Sequence, residues 1–304
     1  MPLEPQVKVV VDALGASPAG PFVLADMRTG WSLLNAAGLA GAPEVPSSDQ
    51  VVGGVGVRVY TPVGAPSDGS GPVVVWYHGG GWTLGDLGVS DAACRRLAVA
   101  ATTRVVSVDY RLAPEHRFPA GVEDALATFE AIAAGGLGAA PSHVIVGGDS
   151  AGGNLAAVVS LLARDAGGPR PAAQLLVYPV TDAAMDTDSY RDNAEGYLLT
   201  AATMAWFFDQ YVDVDLRGDV RVSPLRAASL AGLPPAHVIT PGYDPLRDEG
   251  RAYADRLRAD GVAVTEGRYE GQVHGFFGQP ELFGPTAQQA VDEAAAVLRE
   301  IVSS

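Results

Sequence analysis

The chain predicts an α/β fold: a mainly parallel sheet with helices on both faces. Three observations carry this. Short apolar runs bounded by glycine or proline recur along the chain, among them 73–77 (VVVWY) and 143–148 (HVIVGG). Segments with helical spacing of apolar residues separate them, which is the pattern of strand-helix-strand units. The runs are apolar throughout rather than alternating, as in strands covered on both faces. With 304 residues, 48% of them hydrophobic, the chain can bury one large core. We take residues 1–304 as one domain.

The elements follow in order. Residues 1 to about 50 are helical in patches, and 22–41 (FVLADMRTGWSLLNAAGLAG) suits a short amphipathic helix ending at Gly38 or Gly41. VRVYTP is a strand, and VGAPSDGSGP a loop. VVVWY is a buried strand, ACRRLAVAATT a helix, RVVSVDYRL a strand and GVEDALATFEAIAAGG a helix stopped by glycine. HVIVGG is a strand leading to a helix that begins near Ala151, and AQLLVYPV is the next strand. From about 183 to 225 the alternation breaks into an acidic, then aromatic stretch, which with the N-terminal segment reads as an insertion over one end of the sheet. AHVITPGYD (strand), LRDEGRAYADRLRADG (helix), VAVTEGRYE (strand) and a last helix complete the chain.

Composition excludes several partners. The formal net charge of −15 repels phosphate backbones and anionic headgroups, so neither nucleic acid nor a membrane surface is expected as a partner. Cys94 is the single cysteine, so no intramolecular disulfide forms and nothing points to an oxidising compartment. The N-terminus lacks a basic start and an unbroken apolar core, and no apolar run is long enough to span a bilayer. A cytoplasmic protein is expected. H-E-x-x-H and cysteine pairs are absent from the sequence, so no metal or cofactor is called for.

The chemistry concentrates at two glycine-rich corners. Gly148-Asp149-Ser150-Ala151-Gly152 fits G-x-S-x-G between a strand and a helix, the context that makes a short motif informative. A serine on such a turn is held in a strained conformation with its hydroxyl above the sheet, facing the free N–H groups of the helix that follows. A plain glycine turn is the bland alternative, and a dinucleotide loop fails because G-x-G-x-x-G is missing there. The second corner, His78-Gly79-Gly80-Gly81-Trp82, follows VVVWY. Its glycines leave N–H groups uncovered, as donors to a developing oxyanion must be.

A base and an acid must then follow Ser150, in the chain order acid before histidine. Of five histidines, His274 alone stands after a later strand and after such an acid. His143 and His237 open strands, where structural roles fit better. Asp244 ends the strand HVITPGY and is the candidate acid, while Asp248 and Glu249 belong to the start of the next helix, where they complement its dipole.

Together YHGGGW, DYRLAPEHRFPAGVEDA, GDSAGGN, LVYPV, DPLRDEG and HGF, in that order, resemble the hormone-sensitive-lipase-like (bacterial family IV) esterases of the α/β-hydrolase superfamily. The resemblance covers nearly the whole chain. It implies an α/β-hydrolase fold and hydrolysis of short- to medium-chain carboxylic esters by Ser150, Asp244 and His274. Gly80, Gly81 and Ala151 would supply the oxyanion-hole amides. His78, Asp109, Arg111, Glu115 and His116 would be architectural. A helical cap is implied, formed by about 1–48 and about 183–225, over an acyl pocket whose candidate lining is Met27, Trp82, Tyr197, Leu199, Trp206, Phe207 and Phe276. Homodimers through the edge of the last strand are frequent among such proteins. Rival readings are an amidase or peptidase with the same triad, and a non-catalytic small-molecule receptor, which the presence of His274 disfavours.

Overall fold

Residues 1–14, 22–66 and 68–303 are described by a computed structural model. Two N-terminal helices, α1 (Pro5–Leu14) and α2 (Leu24–Leu39), precede an antiparallel pair, β1 (Ser47–Val52) and β2 (Val55–Tyr60). Then come β3 (Val73–Tyr77), α3 (Asp91–Ala101), β4 (Arg104–Asp109), α4 (Ala120–Ala133), β5 (Val144–Asp149), α5 (Ala151–Ala166) and β6 (Ala173–Val177). The acidic and aromatic stretch holds α6 (Asp188–Asp192) and α7 (Ala201–Tyr211), with Thr187 and Thr200 as side-chain N-caps. β7 (Ala236–Tyr243), α8 (Arg247–Ala259), β8 (Val264–Val273), α9 (Pro280–Phe283) and α10 (Pro285–Ser303) end the chain. Of the predicted N-terminal segment, residues 15–21 lie outside the described residues.

The strands form one sheet in the order β1-β2-β4-β3-β5-β6-β7-β8. β2 is antiparallel to both neighbours, and every pair from β4–β3 to β7–β8 is parallel. The expected mainly parallel sheet is therefore observed.

Side-chain alternation along each strand builds two cores. Val73, Val75 and Tyr77 of β3 face one layer, with Phe129 and Ile132 of α4, Leu155 and Val159 of α5, and Tyr253 and Leu257 of α8. Val74 and Trp76 face the other, with Cys94 and Leu97 of α3 and Val291 and Leu298 of α10. Both faces being covered explains why β3, β5 and β6 read as unbroken apolar runs. Asn154 of α5 is fully buried and donates to the carbonyls of Val180 and Val222, both at 2.9 Å, pinning the start of the 183–225 stretch to its end.

Two interaction sets fasten the irregular segments to this frame. Arg28 of α2 pairs with both carboxylate oxygens of Glu115 at 2.8 and 2.7 Å and donates to the carbonyls of Thr83 and Ala113. The guanidinium holds Glu115 down at about 2, so the pair persists until acid protonates the carboxylate. Residues 1–14 lie against β8 and α9. Val7 is fully buried, Glu4 N–H donates to the Gly271 carbonyl at 3.1 Å, and Gln6 Nε2 donates to the Glu281 carbonyl at 2.9 Å. Among the described residues, no helix is long and apolar enough to cross a membrane.

Deleting residues 1–14 should uncover that face and lower Tm by roughly 5 °C, as expected for a few kcal/mol of lost burial and hydrogen bonding. Differential scanning calorimetry of the truncated chain measures the shift.

Candidate active site

The parallel strands end at one edge of the sheet, and the candidate residues come from four of those ends, after β3, β5, β7 and β8. β3 and β5 pair with Tyr77 opposite Gly148, so the loop after β3 and the turn into α5 emerge side by side. Ser150 sits on that turn at φ 56° and ψ −119°, a region that side chains rarely occupy and that surrounding structure must enforce. The enforcement is steric. A β-carbon on Gly152 would fall 1.8 Å from the Tyr77 carbonyl oxygen, and one on Gly148 would fall 2.4 Å from it. Only glycine at both positions lets α5 start so close to β3. Ser150 N–H donates to the Val177 carbonyl at 2.9 Å, tying the turn to β6.

Ala151 opens α5, and the first N–H groups of a helix have no acceptor within it. Across from it, the Gly80 and Gly81 carbonyls of the loop 78–82 accept from the residues just after the loop. Gly80 O accepts from Thr83 and Leu84, and Gly81 O from the Thr83 hydroxyl at 2.9 Å. Among the described residues, the N–H groups of Gly80 and Gly81 donate no hydrogen bond. Donors from two chain segments thus remain available beside Ser150, the arrangement an oxyanion requires.

Asp244 follows β7 and His274 follows β8. His274 Nδ1 lies 2.8 Å from Asp244 Oδ2. The ionised carboxylate only accepts, so Nδ1 carries the hydrogen and Nε2 is left with its lone pair. Asp244 is fully buried, its Oδ1 accepts the Leu246 N–H at 2.8 Å, and Asn193 holds its carbonyl at 3.2 Å. The His274 ring packs on Tyr178, with centroids 4.5 Å apart. Ser150 and His274 keep 6% and 7% of their surface exposed.

The other histidines are placed differently. His78 is buried and stacked on Tyr110 with centroids 4.4 Å apart, and burial lowers it to about 4, so it stays neutral. His237 pairs through Nδ1 with the Thr265 hydroxyl at 2.8 Å. His116 is exposed. Arg111 forms several bonds to Asp124, and Glu115 holds Arg28, in line with bracing roles for that loop.

Asp248 and Glu249 do open α8, but their carboxylates reach much farther than its dipole. Asp248 Oδ2 accepts the Ser189 N–H at 2.8 Å, and Ser189 Oγ in turn accepts the Asp248 N–H. Glu249 is buried and accepts the Thr181 N–H at 2.6 Å, and burial raises it well above the usual carboxylate range. Asp248 thus locks the 183–225 stretch, and Glu249 the residues just before it, to the start of α8 beside Asp244. Sequence reading missed this, along with Asn193 and Arg28, because every partner lies tens of residues away.

The candidate lining residues fall into two sets. Phe207 of α7 lies directly over Gly81 and beside Trp206, and Leu199 and Met27 belong to the same layer, which includes α5. Trp82 belongs to the same layer but is fully buried, stacked on Tyr211 at 4.2 Å. Tyr197 and Phe276 belong to the opposite layer, against Tyr243 and Tyr178 respectively. Trp82 and Phe276 are packed on all sides by protein.

A family model described as the alpha/beta hydrolase fold matches residues 74–278, which span β3 to the turn after β8. The chain belongs to the hormone-sensitive-lipase-like esterases of the α/β-hydrolase superfamily. It is 49% identical over 262 residues to the carboxylic ester hydrolase LipN of Mycobacterium tuberculosis, covering 83% of this chain and 68% of that one. It is 38% identical to an arylesterase of Saccharolobus solfataricus, over 81% and 79% of the two chains. Among solved structures, an ester hydrolase from the metagenome of Lake Arreo superposes with a TM-score of 0.91 at 42% identity, over 99% of this chain and 100% of that one. The esterase of Pyrobaculum calidifontis matches with the same TM-score at 37% identity, over the full length of both. This esterase is thus a serine hydrolase that cleaves carboxylic esters.

The acid can be tested by substitution. Asp244→Asn should lower kcat by about 10⁴, because the amide favours the wrong imidazole tautomer. Asp248→Asn should cost less than about tenfold, since it loosens only the bonds to Ser189 and Arg247. Steady-state kinetics of the two variants decides between them, and a larger loss in the Asp248 variant would reassign the acid.

Proposed function

We propose that this esterase works through Ser150, His274 and Asp244 on esters of short to medium acyl chains. The observation that carries the reading is the 2.8 Å bond from His274 to buried Asp244, at the sheet edge where Ser150 is held at φ 56°. His274 Nε2 takes the Ser150 proton as Oγ attacks the ester carbonyl. Asp244 keeps the imidazole oriented and stabilises its cation. The amides of Gly80, Gly81 and Ala151 receive the oxyanion. Collapse expels the alcohol, which takes the proton from His274, and leaves an acyl group on Ser150. Water, deprotonated by His274, then attacks the acyl-enzyme, releasing the acid and restoring the serine.

In this reading the N-terminal segment and the 183–225 stretch form a cap. Phe207 and Trp206, with Met27 and Leu199 of the same apolar layer, would wall the acyl side. Phe207 over Gly81 sets a roof close to the oxyanion donors, which supports short acyl groups over long ones. A homodimer would use the outer edge of β8, the last strand of the sheet, although the Gly271 carbonyl there is already taken by Glu4.

The test is a rate profile over acyl chains of about two to sixteen carbons, with Ser150→Ala as control. Turnover should peak at the short end and fall by roughly six orders of magnitude in the alanine variant. Rates that rise with emulsified long chains would overturn the acyl preference. Near-normal turnover by Ser150→Ala would overturn the nucleophile.

A further inference from the structure

Asp149 has no place in the proton path from Ser150 through His274 to Asp244, yet it stands between the two loops on which that path depends. Its Oδ1 accepts the Gly79 N–H at 3.1 Å, at the root of the loop bearing Gly80 and Gly81. The fit is close: a β-carbon on Gly79 would fall 2.3 Å from Asp149 Oδ2, so the carboxylate lies against that backbone. Asp149 also borders a cavity of about 20 Å³, enough for one water. Gly275, next to His274, lines the same cavity, as do Trp31, Trp76 and Gln279. Among the described residues, the buried indole N–H groups of Trp31 and Trp76 have no hydrogen-bond partner. Trp76 is near enough to Asp149 to favour its ionised form. A carboxylate is the group that such donors accommodate.

Four titratable groups face Asp149: His274 after β8, Tyr178 after β6, Tyr110 after β4 and Cys94 on α3. Burial drives both tyrosines and the thiol well above their ordinary values, so these three stay neutral at neutral pH. Burial pushes Asp149 itself up to about 6, against the opposing pull of His274 and of the Gly79 N–H. At neutral pH it is a carboxylate whose one charge partner among the four is His274.

We propose that Asp149 is a positioning residue for ester hydrolysis, whose carboxylate anchors the root of the oxyanion loop and gives the His274 imidazolium a second counter-charge. The proposal rests on the triad reading above. His274 is a cation only in the interval between taking a proton (from Ser150, then from water) and delivering it (to the leaving alcohol, then back to Ser150). A charge that acts on that interval favours the transition state over bound substrate, and so appears in kcat rather than in KM.

Asp149→Asn and Asp149→Ala separate the two parts of the role. Asparagine retains an acceptor for Gly79 but no charge. Its kcat should fall roughly five- to tenfold with KM held within about twofold, and the acid limb of kcat/KM should move to lower pH by about half a unit or more. Alanine also releases Gly79, and its kcat should fall about 100-fold with the same displaced limb. Both variants should still be labelled by a fluorophosphonate, showing that the serine turn is folded. Wild-type kcat and an unmoved limb in Asp149→Asn would overturn the proposal. So would equal losses in the two variants with the limb in place, which would make Asp149 a packing residue only. Retained turnover in Ser150→Ala, measured alongside, would instead bring down the triad reading and this proposal with it.

Discussion

The carbonyl oxygen of Tyr77 stands where a β-carbon on Gly152 would have to be. That contact governs the site. It lets α5 begin against the end of β3, so the helix N-terminus and the loop 78–82 share one corner. It leaves Ser150 no room for a relaxed conformation, and the residue is held at positive φ with its hydroxyl clear of the chain. The sheet holds the contact in place, because β3 pairs with β5 through Tyr77 and Gly148. Strain at one residue, of order 1–3 kcal/mol, is small beside the two apolar layers that impose it.

Around this corner the protein buries more acid than its chemistry uses. Asp244 and Glu249 are almost wholly enclosed, a placement that costs free energy unless hydrogen bonds compensate it. Each carboxylate here is spent on a backbone N–H of a loop that must not move: Leu246 for Asp244, Thr181 for Glu249 and Gly79 for Asp149. Arg28 does the converse with the carbonyls of Thr83 and Ala113. These bonds join the N-terminal and 183–225 segments to the loops of the site, so the covering segments and the catalytic groups are placed together.

Most of the sheet was legible because buried parallel strands announce themselves as apolar runs. The run at 73–77 coincides with β3. AQLLVYPV was read too long because the chain turns at Tyr178, which takes φ 35°. β8 extends beyond the strand expected from VAVTEGRYE, past an irregularity in its pairing with β7, up to the residue before His274. β1 escaped notice because five of its six residues are exposed, so an edge strand such as SSDQVV shows no apolar signal. At the proposed site, the candidates Ser150 and His274 were legible from glycine spacing and chain order. The roles of Asp149, Glu249, Asn193 and Arg28 were not, since a polar residue's role depends on the partner that folding brings to it, and no local pattern records that.

The central claim is that the serine held at the β5–α5 turn is the nucleophile. Incubation with a fluorophosphonate, followed by peptide mapping by mass spectrometry, tests it most directly. The account predicts one adduct per chain, on Ser150, with loss of esterase activity in step with labelling. Inactivation with the adduct on another residue, or full activity with Ser150 completely modified, would contradict it.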